Sequence, residues 1–153
     1  MVAASYRLGP EEPFPCGPDD AEATAAWLLE HAPTEWGAPL RVVMGSSAGA
    51  NIAAVALQRL RDRHDALDEI AAANLVYGVF DVRGTPSQYD RGIPSFRDLY
   101  LPGVERRDRD DPEMSPIFGD LTGMPPALFT VGTADYLYDC LLYTSPSPRD
   151  IGE

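Results

Sequence analysis

Leu40-Arg41-Val42-Val43-Met44-Gly45-Ser46-Ser47-Ala48-Gly49-Ala50-Asn51-Ile52 is the stretch on which the fold turns. Leu40 to Met44 is a short apolar run with two β-branched valines, the pattern of a buried strand. From Ala48 to about Asp62, Ile52, Val55, Ala56 and Leu60 share one face at helical spacing, so this segment reads as a helix. Between them, Gly45-Ser46-Ser47-Ala48-Gly49 is a G-x-S-x-G sequence in the strand-turn-helix setting of a nucleophile elbow. Such a turn forces its central serine, Ser47, into strained dihedrals. It also leaves no room for side chains at Gly45 and Gly49, which are expected to collide with the neighbouring strand or helix. The helix N-terminus at Ala48 then favours negative charge developing beside Ser47, with the Ala48 backbone N–H as a donor. The plainer reading is a Gly/Ser-rich turn that binds phosphate or only reverses the chain, although the Lys of a P-loop is absent.

Working outward, the flanking segments alternate between strand and helix patterns. Ala3 to Leu8 reads as a strand end, followed by a turn rich in proline. A helix is expected from Asp19 or Asp20, either of which could cap it, to about His31. Asn74 to Phe80 reads as another buried strand and Ala127 to Val131 as a third strand, with a short helix at Pro94 to Tyr100 between them. The mixed-charge run Glu105 to Asp111 reads as a solvated loop. This order predicts an α/β fold, a mostly parallel sheet with helices on both faces, with chemistry at the carboxyl ends of its strands. Asp135 stands just past the last of these strands. On spacing alone it is either the orienting acid of a triad or an ordinary helix cap.

Composition narrows the classes of function. In 153 residues, 24 acidic side chains face 12 basic ones, a formal net charge of −12 that argues against nucleic acid or an anionic membrane as partner. No apolar run is long enough to span a bilayer. The two cysteines, Cys16 and Cys140, read as isolated reduced thiols of a cytoplasmic protein, without a disulfide framework or a zinc site.

Three segments carry a family resemblance. Y-R-L-G-P-E-E-P-F-P at Tyr6 to Pro15 is similar to the Y-R-L-A-P-E-x-P-F-P segment of the hormone-sensitive-lipase-like esterases, an α/β-hydrolase family. G-S-S-A-G-A-N at Gly45 to Asn51 resembles that family's G-D-S-A-G-G-N elbow. S-P-I-F-G-D-L-T-G-M-P-P-A-L-F-T-V-G-T-A-D at Ser115 to Asp135 resembles its acid-bearing segment. The three lie in family order. The resemblance implies hydrolysis of a small-molecule carboxylic ester through an acyl-enzyme, with Ser47 as nucleophile, Asp135 as triad acid and no cofactor or metal. Arg7 and Glu11 match structural positions of the family loop. Ser46 departs from the family's Asp or Glu, Ala50 from its Gly, and Ser5 from its Asp.

On this fold the triad runs Ser, Asp, His, and no histidine follows Asp135. His31 and His64 both precede the acid and read as helix-end residues. The H-G-G-G-type loop that supplies the second oxyanion donor is also missing upstream. The expectation is therefore a partial hydrolase domain over residues 1–139, truncated at both ends and inactive alone. Residues 140–153, which contain C-L-L-Y-T-S-P-S-P-R-D, are expected to be a non-native tail. The reason is that the peptide can be encoded by DNA resembling a sequencing-library adapter. The alternative is a non-catalytic small-ligand-binding protein that keeps the fold and has no triad His.

Overall fold

The computed structural model describes residues 1–85 and 96–144. Three strands, β1 (Val42–Ser46), β2 (Ala72–Val76) and β3 (Ala127–Thr130), pair in parallel in chain order. Ser46 stands opposite Val76, and Val76 opposite Thr130. Helix α2 (Ala48–His64) makes the crossover from β1 to β2. Helix α1 (Cys16–Trp36) precedes the sheet, and α3 (Phe96–Tyr100) and α4 (Tyr138–Thr144) are short.

The centre of the molecule is α2, buried at every position from Ala50 to Leu60. Ala50, Ala53 and Ala54 let it lie close to the sheet, where Val43, Ala73, Leu75 and Phe129 meet it. Ala25 and Leu29 of α1 join the same core. Its third side is closed by polar contacts. The Gln58 amide donates to Pro116 O at 2.8 Å, and the Asn51 amide donates to Val79 O at 2.7 Å and Met114 O at 2.9 Å. A helix packed all round in this way is held by tertiary contacts more than by propensity.

Several expectations shift. Helix α1 begins at Cys16, because Pro18 in a first turn sacrifices no intrahelical bond, and it runs on to Trp36. Gly37, at φ 67°, closes it by donating its N–H to Pro33 O. Asp19 and Asp20 do not cap it. Asp20 receives the Arg7 backbone N–H at 2.8 Å and the Arg7 guanidinium at 2.8–3.1 Å, and Asp19 accepts from Arg59 at 2.8 Å. That tether holds the segment expected as a strand end at Ala3 to Leu8, which joins no sheet. The strand expected over Asn74 to Phe80 is observed over Ala72–Val76. The Pro94 to Tyr100 helix is seen from Phe96, its first two residues lying outside the described residues. Within the expected solvated loop Arg109 is buried, donating to Val104 O and to Asp98. Helix α4 spans Tyr138–Thr144, and its Cys140 and Leu141 are buried.

The far end of α2 carries a charge cluster. Arg59, with its side chain almost fully buried, pairs with Asp19, Glu22 and Glu113. Arg63 bridges Glu22 and Glu113, and His64 Nε2 lies 2.8 Å from Glu22 Oε1. Burial alone would push the Glu22 carboxyl up, but His64, Arg63 and Arg59 together hold it below the usual carboxylate range.

The two faces of the sheet differ. The face opposite α2 exposes Val42, Met44 and Leu128, and β1 forms an edge of the described sheet. An open groove of about 950 Å³ runs along β1, lined by Leu28, Trp36, Val42, Met44, Ile52 and Ala56 among others.

Candidate active site

Ser47 is the single residue between β1 and α2, and its backbone lies at φ 53°, ψ −124°. For a residue with a Cβ this region costs on the order of 1–3 kcal/mol and persists only where the surroundings impose it. They do so here. The Ser47 N–H donates to Val76 O at 3.0 Å, its C=O accepts from Ala50 N at 3.1 Å, and the helix beyond is immobilised in the core. Ser47 itself is only half-buried, at the rim where the strands end.

Crowding at the turn falls on one glycine. A Cβ on Gly45 would sit 2.2 Å from Gly49 O and 2.8 Å from the Ala50 Cα, so no larger residue fits. A Cβ on Gly49 would meet nothing within 4 Å. The expected collision at Gly49 is therefore corrected: its backbone is what Gly45 must clear, and its own Cα faces the open groove. Ala48 is the first residue of α2, so its N–H belongs to the first turn, whose donors have no partner inside the helix. These donors and the helix dipole favour an anion beside Ser47.

Asp135 lies in the turn between β3 and α4. Its Oδ1 accepts the Leu137 N–H at 2.8 Å, while its backbone N–H donates to Gly132 O and its C=O accepts from Tyr138. This local arrangement both caps the turn and fixes the carboxylate. Parallel pairing brings Ser47 and Asp135 to the same edge of the sheet, beyond strands two spacings apart, about 10 Å.

Neither histidine reaches that edge. His64 ends α2, about 24 Å along the axis from Ala48 at 1.5 Å per residue, and is engaged by Glu22. His31 stacks on Trp27 with ring centroids 4.6 Å apart, its Nδ1 3.0 Å from Trp27 O. Among the described residues no group of His, Cys, Asp and Glu is arranged to hold a metal ion. No helix among them is long and apolar enough to cross a membrane. Cys16 and Cys140 are free thiols, and burial pushes the Cys140 thiol up.

Two residues at the rim were not singled out from the sequence. Asn51 was legible as part of the elbow motif, but its task of pinning the loop after β2 was not. Tyr77, the residue after β2, has φ 37°, and nothing in its type signals a left-handed backbone.

A parallel sheet with a strained serine between a strand and a buried helix, and an acid beyond a later strand, defines an α/β protein of the hydrolase class. A profile of the alpha/beta hydrolase fold family matches residues 1–143, and the chain belongs to that family, in its hormone-sensitive-lipase-like branch. It is 34% identical to Carboxylesterase NlhH of Mycobacterium tuberculosis, over 89% of this chain and 46% of that one. The hyperthermophilic esterase of the archaeon Pyrobaculum calidifontis superposes with a TM-score of 0.78 at 30% identity, covering 92% of this chain and 48% of that one. A hormone-sensitive lipase from a metagenome library gives a TM-score of 0.68 at 28% identity, over 88% of this chain and 47% of that one. The chain thus spans about half the length of the proteins it matches.

Proposed function

We propose that the chain carries the nucleophile and acid portion of a serine hydrolase acting on small-molecule carboxylic esters. The observation that supports this most is the backbone of Ser47, held at φ 53° over a glycine that cannot be replaced. In this reading Ser47 Oγ attacks the ester carbonyl while a histidine from polypeptide beyond Asp135 takes its proton. Asp135 orients that histidine and stabilises its charged form. Ala48 N–H and one further donor from an upstream loop receive the tetrahedral oxyanion. The histidine returns the proton to the leaving alcohol, and water then hydrolyses the acyl-enzyme. This chemistry needs no metal or organic cofactor, and free thiols at Cys16 and Cys140 suit a cytoplasmic setting.

The test has two arms. The chain as given is expected to show no Ser47-dependent turnover of a short-chain aryl ester, and turnover abolished by Ser47→Ala would overturn the partial-domain reading. In the complete hydrolase, Ser47→Ala is expected to lower kcat by about ten-thousandfold or more. A smaller loss would remove Ser47 from the nucleophile's role.

A further inference from the structure

Tyr77 stands out among the rim residues that the proposed chemistry does not use. Side chains on β2 alternate, and Ala73 and Leu75 are buried against α2. Regular alternation would send residue 77 to that same packed face. Instead Tyr77 has a positive φ and is 38% exposed, so it does not share the burial of Ala73 and Leu75. The backbone is fixed in this state from both sides. Tyr77 N–H donates to Thr130 O at 2.6 Å, tying it to β3. The next residue, Gly78, lies so close to Phe80 that a Cβ there would sit 2.4 Å from its ring. A bulky side chain held in a backbone region it disfavours, and presented at the edge carrying Ser47 and Asp135, is an observation from which a role can be inferred.

Strand order fixes the side on which it acts. β2 lies between β1, which leads into Ser47, and β3, which leads towards Asp135. The register ends at Ser46 opposite Val76, so Ser47 and Tyr77 are the residues that follow on adjacent strands, which lie about 4.8 Å apart. A base oriented by Asp135 approaches Ser47 from this side. The same base must hand the serine's proton to the departing alkoxide, so the alcohol portion of the ester lies on this side as well.

We propose that Tyr77 is a specificity-determining residue whose ring walls the leaving-alcohol side of the ester site and favours esters of aryl or other flat apolar alcohols. The proposal rests on the serine-hydrolase reading above. An aromatic face adds packing to an apolar alcohol that it cannot offer to methanol.

The test compares phenyl acetate with methyl acetate in the complete hydrolase, because the two share one acetyl-enzyme. Tyr77→Ala is expected to lower kcat/KM for phenyl acetate about tenfold relative to methyl acetate. The rate of acetyl-enzyme hydrolysis should stay unchanged. Tyr77→Phe should keep the original ratio. Tyr77→Gly, which suits the positive φ, should behave as the alanine variant and thereby separates ring loss from backbone strain. A ratio unchanged within about twofold in both truncations, or deacylation falling in parallel with acylation, would overturn the proposal in favour of a structural role. Turnover that survives Ser47→Ala would instead remove the nucleophile and, with it, the alcohol-side placement. Altered selectivity in a protein whose turnover requires Ser47 supports both.

Discussion

The turn at Ser47 and the turn at Asp135 sit at the same edge of one sheet but are built on different principles. The first is imposed by its surroundings: a backbone of φ 53°, a glycine with 2.2 Å of clearance, and a helix buried for eleven consecutive residues. The second is local, a carboxylate accepting an N–H two residues on, with a short helix behind it. Rigidity at Ser47 comes from the core, whereas at Asp135 it comes from the turn itself. Substitutions that crowd Gly45 at the first turn should therefore act on stability, whereas a substitution of the Asp135 carboxylate should, in the proposed reading, act on chemistry alone.

The largest contrast is expected at Asp135. In the complete hydrolase Asp135→Asn should lower kcat by about ten-thousandfold, because the histidine is held in the wrong tautomer. The asparagine Oδ1 can still accept the Leu137 N–H, so chemical denaturation should show stability unchanged within about 0.5 kcal/mol. A large stability loss would mean that the acid turn is as embedded as the elbow. Next comes Gly45→Ala, expected to destabilise by about 3 kcal/mol or more, since the new Cβ meets backbone that cannot move without displacing α2. An unchanged denaturation midpoint would show that the elbow relaxes more easily than its packing implies.

Acid should weaken the ion pairs that α1 makes with the N-terminal segment and with the far end of α2. Asp20 is held below the usual carboxylate range by Arg7, and Glu22 by His64, Arg63 and Arg59. A depressed carboxylate stabilises fully above its ordinary value and loses that contribution as pH falls through its folded one. Stability should therefore decline below about pH 4, with α1 loosening from α2. Trp27 and Trp36, both exposed on α1, report this by fluorescence. Stability that stays unchanged as pH falls from 5 to 3 would contradict the assignment. The smallest effect is expected at Gly49→Ala, where the new methyl meets open space and the helix gains about 0.5–1 kcal/mol. A destabilisation as large as that at Gly45 would mean that both glycines are sterically required.

The same difference explains what the sequence disclosed. The elbow is legible because its geometry admits few residues: glycine at 45, a small polar residue at 47, an apolar strand before and an apolar helix stripe after. Asp135 carries no such constraint, since an aspartate after a strand caps turns everywhere, and only resemblance pointed to the role proposed for it. Strand β2 was placed too far along because Val79 and Phe80 continue the apolar run as core residues beyond the break at Tyr77. Helix α1 was cut short because Asp19 and Asp20 look like caps. Their true partners, Arg59 and Arg7, are distant in sequence. Long-range ion pairs of this kind leave no local pattern to read. Nor did any sequence signal show which side of the Gly49 backbone would be open.

The bond from Ser47 N–H to Val76 O has a consequence for the order in which the molecule assembles. Strand, turn and α2 are contiguous in the chain, but α2 is buried from Ala50 to Leu60 and depends on its neighbours for support. The serine, in turn, reaches its final backbone only when β2 docks beside β1 and offers that carbonyl. During synthesis the elbow therefore remains unset until the second strand arrives, and the acid joins after that, with the third. Ser47 is written into the chain first but takes up its strained backbone only when its neighbour appears.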